Sequence, residues 1–374
     1  MTHLSYCTNV HPAEDLDGVV RQLRTAAGPI RRAAGLERLG VGLWLPAPLA
    51  ARLANEPAAL ARLREALDAD GLEVRTLNAF PYEAFHAEVV KLDVYRPDWT
   101  DPARLEYTVD AARVLAALLP PGAAGSISTL PLGWREGWDA AADDAATAAL
   151  VRLGAELRAI RAETGRVIRL AIEPEPGCVL DEVDDVVDWL AARRDRLDLE
   201  HLGVCLDTCH LAVSFADPEA AVARIAAAGL RVVKVQASAA LHVEHPGDPD
   251  GRRAVAGYVE ARYLHQVRER RPDGVLRVDD LPEALADLPA SGPWRVHFHV
   301  PLHLDPEPPL AATTEVLEAA LAAVRATQPD DDLHVDVETY TWSVLPGSPP
   351  DLVAGIAGEV RWAADLLARA EQPA

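Results

Sequence analysis

The chain has 374 residues and a formal net charge of −22, and 49% of its residues are hydrophobic. This length and hydrophobic content predict a large folded core and exclude a disordered chain. The negative charge disfavours polyanionic partners, so we expect no binding to nucleic acid. No apolar run reaches membrane-spanning length, and the N-terminus does not have the pattern of a secretory signal. The four cysteines lack zinc-finger spacing, and we expect them to stay reduced in a cytoplasmic protein.

Apolar, strand-like segments alternate with helix-like segments along the chain. The strand candidates are Leu4–Val10, Leu39–Leu45, Val74–Phe80, Gly125–Leu130, Val167–Glu173, Leu202–Asp207, Val232–Ser238, Val296–Leu302 and Leu333–Tyr340. The clearest helix candidates are Asp101–Leu119, Asp139–Thr164, Asp181–Arg193, Pro218–Ala228, Thr313–Ala326 and Pro350–Ala370. Strand and helix repeated about eight times are typical of a parallel sheet, and this length favours a closed (β/α)8 TIM barrel of the α/β class.

One segment interrupts this alternation. Residues Ala239–Pro293 include Gly247-Asp-Pro-Asp-Gly251 and are interpreted as an insertion or lid. Nine strand candidates compete for eight places, and the insertion makes Val296–Leu302 the most doubtful barrel strand. Because no internal repeat or linker is evident, we predict a single domain over residues 1–374.

Polar side chains share one face of the later strands, because successive side chains in a strand point to opposite faces. Lys234 and Gln236 share one face of their strand. Asp336 and Glu338 share one face of theirs, and the opposite face of each strand is apolar. The apolar faces must contact the helices, so the polar faces point into the barrel. Buried charges must be paired. We therefore expect Lys234 to form an ion pair with Glu173, Asp207 or Asp336.

The carboxyl ends of the strands carry candidate metal ligands, and active sites of such barrels lie at these ends. The predicted ligands of one divalent ion are Glu173, Asp207, His210, His299 and Glu338. Asp207 and His210 are three residues apart across a strand-to-helix turn, where both can approach one cation. Mixed oxygen and nitrogen donors suit Mn²⁺, Zn²⁺, Co²⁺ or Mg²⁺. A helix-capping role for Asp207 is the structural alternative.

Other polar and aromatic residues near the same ends are candidate substrate contacts. They are Asn9, His11, Asn78, Lys234, Gln236, His297, His303 and Tyr340. Apolar walls are expected from Trp44, Phe80, Tyr82 and Trp134.

Three segments resemble known barrel strands. Leu202–His210 resembles the corresponding strand of endonuclease IV, and Ala171-Ile-Glu-Pro174 and Val335–Thr339 resemble the glutamate-bearing strands of xylose isomerase-like barrels. The resemblance implies that Glu173, Asp207, a residue of the seventh strand and Glu338 bind the metal. The seventh strand of the superfamily normally offers a histidine, whereas this chain presents Gln236. Either His299 folds back to replace that histidine or Gln236 ligates weakly through its carbonyl.

A narrower resemblance concerns four motifs. The chain resembles EboE-type metabolite traffic proteins in the motifs Tyr6–Pro12, Glu173–Gly177, His297–His303 and Glu338–Trp342. This likeness implies a sugar isomerase/epimerase-like barrel that acts on a small-molecule metabolite. It also implies a gene cluster for secondary metabolism that encodes a prenyltransferase-type membrane protein as a partner.

Three functions follow as alternatives. The first is a metal-dependent isomerase or epimerase in which the catalytic residues Glu173 and Glu338 move a proton on a polyol or sugar-like substrate. The second is a carrier that binds a metabolite without converting it. The third is a phosphodiesterase similar to endonuclease IV. It is disfavoured by the charge and by Trp44 and Asn78, which occupy the strand ends where endonuclease IV has histidines.

Overall fold

A closed parallel barrel forms the centre of the computed structural model, which describes residues 2–329, 332–347 and 351–370. The described strands are β1 (Thr2–Cys7), β2 (Leu39–Trp44), β3 (Leu72–Glu73), β4 (Thr76–Asn78), β5 (Gly125–Thr129), β6 (Ile168–Ile172), β7 (Leu202–Asp207), β8 (Val232–Ala237), β9 (Leu241–Val243), β10 (Val267–Arg271), β11 (Gly274–Val278), β12 (Trp294–Val296), β13 (Leu310–Ala312) and β14 (Leu333–Val337). The barrel order is β1-β14-β8-β7-β6-β5-β4-β2, and β2 pairs with β1 to close the ring. The short β3 extends the third barrel position. The predicted (β/α)8 barrel is confirmed.

Helices surround the barrel. The described helices are α1 (Leu16–Gln22), α2 (Gly28–Ala33), α3 (Ala47–Asn55), α4 (Pro57–Ala69), α5 (Pro102–Leu118), α6 (Ala140–Thr164), α7 (Val183–Ala191), α8 (Thr208–Val213), α9 (Pro218–Ala227), α10 (Pro249–Ala256), α11 (Leu281–Asp287), α12 (Thr314–Thr327) and α13 (Leu352–Ala370). The six predicted helices are present, although Pro350, the predicted start of the last one, lies outside the described residues. Asp101, Asp139 and Asp217 accept hydrogen bonds from the first-turn amides of α5, α6 and α9, which explains why these helices begin where they do. Across the described residues, no helix combines the length and apolarity needed to cross a membrane.

The predicted strand Val296–Leu302 does not belong to the barrel. Only Val296 is in a strand, and that strand, β12, pairs antiparallel with β9 and β10. The five strands β9–β13 form a second sheet in the order β11-β10-β12-β9-β13. This inserted sheet extends beyond Pro293 to Ala312 and has its own apolar core around Trp294 and Phe298.

A buried ion pair lies inside the barrel. Lys234 Nζ lies 2.9 Å from Asp336 Oδ2, and both side chains are fully buried. Ser5 Oγ donates to Asp336 Oδ1 over 2.7 Å. At Gly42 on β2, any Cβ would overlap the Asp336 carboxylate, so only glycine leaves room for it. Burial alone would lower the pKa of Lys234, but the neighbouring Asp336 outweighs burial and raises it. Lys234 is therefore paired, as expected, and its partner is Asp336.

We predict that Lys234→Met destabilises the fold by about 3 to 5 kcal/mol, because it leaves Asp336 charged and buried without a partner. The double variant Lys234→Met, Asp336→Asn should recover most of this loss, since no charge then remains. Urea unfolding of the three proteins measures the difference. Equal loss in the single and double variants would contradict the assigned role of the pair.

A second prediction concerns Glu359 on α13. Its carboxylate accepts from Leu302 N (3.0 Å), Thr339 Oγ1 (2.6 Å) and Trp342 Nε1 (2.8 Å), all of them buried. Glu359→Ala should cost about 2 to 4 kcal/mol, because these donors lose their acceptor. Asp365→Ala, at an exposed position on the same helix, should change the free energy of unfolding by less than about 0.5 kcal/mol. Equal midpoints for the two variants in thermal unfolding would refute this role.

Candidate metal centre

Three carboxylates meet at the carboxyl ends of the barrel strands. Glu173 follows β6, Asp207 ends β7 and Glu338 follows β14. One oxygen from each lies within 4.8 Å of the others, and all three side chains are buried. They converge because the carboxyl ends of parallel strands form one rim of the barrel.

Hydrogen bonds hold two of these carboxylates and leave other oxygens free. The Nδ2 atoms of Asn9 and Asn78 each donate to Glu338 Oε1 over 2.7 Å. Asp207 Oδ1 accepts from the backbone N of His210 (2.9 Å) and thereby caps α8. Among the described residues, Asp207 Oδ2 and Glu173 Oε2 are buried without a hydrogen-bond donor. An unsatisfied buried oxygen costs about 1–3 kcal/mol, and a cation would satisfy both.

The electrostatics of the rim also fit a cation. Burial, followed by the charges of Glu338 and Asp207, raises the pKa of Glu173 well above its ordinary value. Burial, followed by the charge of Asp207, raises the pKa of Glu338 to about 8. Carboxylates this close cannot all be ionised at neutral pH unless a positive charge lies among them. A divalent ion would supply that charge and keep them ionised.

Three histidines border the carboxylates, each with the same pattern of hydrogen bonds. Nδ1 of His210 donates to Pro174 O (2.9 Å), and Nδ1 of His299 donates to Glu338 O (2.6 Å). Nδ1 of His297 donates to Gln266 Oε1 over 2.6 Å. An oxygen of this kind only accepts, so each Nδ1 carries a proton, and in the neutral ring each Nε2 keeps the lone pair that a metal-binding imidazole needs.

His299 is the histidine nearest to Asp207. Its Nε2 lies 3.9 Å from Asp207 Oδ2 and has no hydrogen-bond partner among the described residues. Burial lowers the pKa of His299 to about 4, so the ring is neutral at pH 7. His299 reaches the rim from the segment that follows β12, which folds back over the barrel.

A cleft opens above the rim. Its wall includes eight of the residues predicted from the sequence, namely Asn9, Asn78, Glu173, His210, His297, His299, Glu338 and Tyr340. Phe80 also lines it, whereas the other expected aromatic residues, Trp44, Tyr82 and Trp134, do not. Trp44 instead packs behind the wall against Phe85, with ring centroids 6.0 Å apart.

Four predicted substrate contacts lie away from the cleft wall. Lys234 is deeper in the barrel with Asp336, and Gln236 points towards Ser128, its Nε2 lying 3.5 Å from Ser128 Oγ. His11 is buried beside the Tyr6 hydroxyl, 3.2 Å away. His303 lies beside α13 and near Trp342, with the two ring centroids 6.3 Å apart.

Several residues of the wall were not predicted. Glu175 lies in the quoted motif Glu173-Pro-Glu175, so the sequence contained a signal for it. Its carboxylate accepts from the Tyr95 hydroxyl over 2.7 Å. Tyr263 and Leu264 enter the wall from the inserted sheet region. No periodicity marks these two residues, because they lie between β9 and β10 outside any strand or helix.

Comparisons with known proteins agree with this architecture. A model of the family described as xylose isomerase-like TIM barrel matches residues 30–322. No curated protein matches the chain in sequence.

Solved structures show the same fold at low sequence identity. A candidate sugar phosphate isomerase/epimerase from Anabaena variabilis is 15% identical, with a TM-score of 0.53 and 99% of each chain covered. D-allulose 3-epimerase from a Methylomonas species, in complex with D-allulose, is 14% identical, with a TM-score of 0.50 and coverage of 97% of this chain and 96% of that one. D-psicose 3-epimerase from Clostridium cellulolyticum, with D-tagatose, is 10% identical, with a TM-score of 0.50 and coverage of 97% and 98%. Because the family model spans most of its length, the chain belongs to the xylose isomerase-like TIM barrel family.

Proposed function

We propose that the protein is a metal-dependent isomerase or epimerase that acts on a small polyol or sugar-like metabolite. The observation that carries the proposal is the pair Glu173 and Glu338, which face one cleft and share a rim with Asp207. Glu173, Asp207 and Glu338 would hold one divalent ion, with His299 completing the set and His210 as the alternative fourth ligand.

The chemistry follows from the placement of the two glutamates. A bound divalent ion would polarise neighbouring substrate oxygens and acidify the adjacent C–H bond. Glu338 is well placed to accept the proton, because Asn9 and Asn78 fix its Oε1 and no described residue donates to its Oε2. Glu173, which also faces the cleft, would return the proton to the substrate. A raised pKa suits a group that takes up and releases a proton near neutral pH.

The charges of the wall favour a neutral substrate. Its acidic members are Glu173, Glu175 and Glu338, and its single described cation, Lys91, is paired with Asp280 at 2.6 Å. A phosphodiester would meet this acidic surface without a free basic residue from the described wall, which supports our ranking of the nuclease below the isomerase. A carrier remains the second candidate. It is favoured by Gln236, which stands where the superfamily offers a histidine.

We also propose the setting implied by the four motifs of the EboE-type resemblance. In this proposal the metabolite belongs to a secondary-metabolite pathway, and a prenyltransferase-type membrane protein from the same gene cluster is the partner. Support for it is limited to the sequence motifs, two of which, Glu173–Gly177 and Glu338–Trp342, contribute residues to the cleft.

The metal can be tested directly. Protein purified without chelator should contain bound divalent metal, and Asp207→Asn should remove at least one ion per chain, because it deletes the charge of a central ligand. Asparagine can still cap α8, so folding should persist. Asp217→Asn, which changes the equivalent cap of α9 at an exposed position, is the matched control and should keep the full metal content. Inductively coupled plasma mass spectrometry measures the content. Equal metal in both variants would rule out Asp207 as a ligand.

Catalyst and carrier differ in the expected effect of Glu338→Gln. In the isomerase, this variant should slow exchange of a substrate C–H with D₂O by a factor of about 10² or more, because an amide cannot accept the proton. NMR would follow exchange in a panel of ketoses and polyols that includes D-allulose. Glu318→Gln, at an exposed position on α12, should exchange like the wild type. Binding of a panel member with no exchange by the wild type would instead identify a carrier.

A further inference from the structure

Seven carboxylates and imidazoles that could bind a metal surround the rim, beside the thiol of Cys209, and they are more than one ion of ordinary coordination uses. They are the carboxylates Glu173, Glu175, Asp207 and Glu338 and the imidazoles His210, His297 and His299. All seven are buried. They include two triads that share no residue. Glu173, Asp207 and Glu338 form one triad, and Glu175, His210 and His297 form the other, each with ligand atoms within 4.8 Å of one another.

The contact between His210 and His297 is consistent with a bound cation. Their Nε2 atoms lie 3.0 Å apart. Pro174 O fixes the proton of His210 on Nδ1. For His297, the Gln266 amide is oriented by its Nε2, which donates to Pro176 O over 2.8 Å, so Gln266 Oε1 faces His297 Nδ1 and accepts from it. Two Nε2 lone pairs therefore face each other, and this repulsion disappears only if a positive charge lies between or beside them.

The separation fits two ligands of one metal ion. Nitrogens about 2.0–2.1 Å from a zinc ion, at angles of about 95–110°, are themselves about 3.0–3.4 Å apart. Glu175 would supply an oxygen, since its Oε2 is buried without a hydrogen-bond donor among the described residues. Its Oε1 accepts from the Tyr95 hydroxyl, which in turn accepts from Gln266 Nε2 over 3.0 Å. Gln266 thus orients both His297 and, through Tyr95, Glu175, as groups around metal ligands commonly do.

The charge of the rim is compatible with two divalent ions. In their ionised form the four carboxylates carry four negative charges, and Lys234 is already neutralised by Asp336. Lys91, the cation of the described wall, is paired with Asp280. Two divalent ions would balance all four charges of the ionised form.

We infer that the protein binds a second divalent ion through Glu175, His210 and His297, beside the ion that the proposed function needs. This site has two imidazoles and one carboxylate, so it favours Zn²⁺ or a similar transition metal, whereas the all-carboxylate triad is suited to Mn²⁺ or Mg²⁺. Three protein ligands leave a coordination position open to water or a substrate oxygen. His297 comes from the inserted sheet region, so this part of the chain completes the second site.

The test is a count of zinc ions in the full-length protein. Apo-protein prepared with a chelator would be titrated with Zn²⁺, and bound metal would be measured by mass spectrometry and by anomalous scattering. We expect two Zn²⁺ per wild-type chain and one for His297→Ala. His303→Ala, which alters a histidine away from the cleft in the same segment, should keep two. Gln266→Leu, which keeps all ligands, should weaken one of the two ions by about 10- to 100-fold and leave the other unchanged.

Two outcomes would overturn the inference. In the first, the wild type binds one Zn²⁺, which His297→Ala retains and Asp207→Asn loses. The histidines would then share a proton instead of a metal, and the proposed function would stand. In the second, the wild type binds one Zn²⁺, which His297→Ala loses and Asp207→Asn retains. The single ion would then lie among the histidines, and the carboxylate metal site of the proposed function would be wrong as well.

Discussion

Burial of like charges at the barrel rim is the constraint on which the arrangement of the site depends. Glu173, Glu175, Asp207 and Glu338 are all buried within one small region. Burial weakens their stabilisation by water, so hydrogen-bond donors and cations must contribute. The amides of Asn9 and Asn78, the capping turn at α8 and the Tyr95 hydroxyl supply the donors. The oxygens and imidazole nitrogens that remain free could hold a metal ion, which would supply a positive charge.

Barrel and insertion contribute different parts of the site. The barrel strands deliver carboxylates, whose positions follow from strand register. The inserted sheet region delivers His297 and His299 together with Tyr263 on the cleft wall. Oxygen donors therefore come from the barrel and most of the nitrogen donors from the insertion. In the proposed function, a substrate in the cleft would contact residues of the barrel and of the inserted sheet region.

The sequence predicted what depends on periodicity and missed what depends on distant contacts. The alternation that ends in Asp207 and Glu338 was sufficient to place both residues on one rim, because parallel strands must end together. The inserted sheet has a weaker pattern. Strand β10 reads Val-Arg-Glu-Arg-Arg and β9 has three residues, so neither shows the apolar run that marks a strand. The approach of His297 to His210 joins residues 87 positions apart, and no local pattern predicts such a contact.

The separate core of the inserted sheet has a consequence for how the protein can evolve. Trp294 and Phe298 pack in a cluster distinct from the one that stabilises the barrel. Tyr263 and Leu264 at the cleft border belong to the same inserted region. Tyr263 packs instead with Trp44, Phe85 and Tyr340, and Leu264 packs against the barrel cluster, so substitutions at these two positions would disturb barrel packing. The interior of the inserted sheet can therefore vary without direct loss of barrel packing, whereas the residues that border the cleft are constrained by the barrel as well.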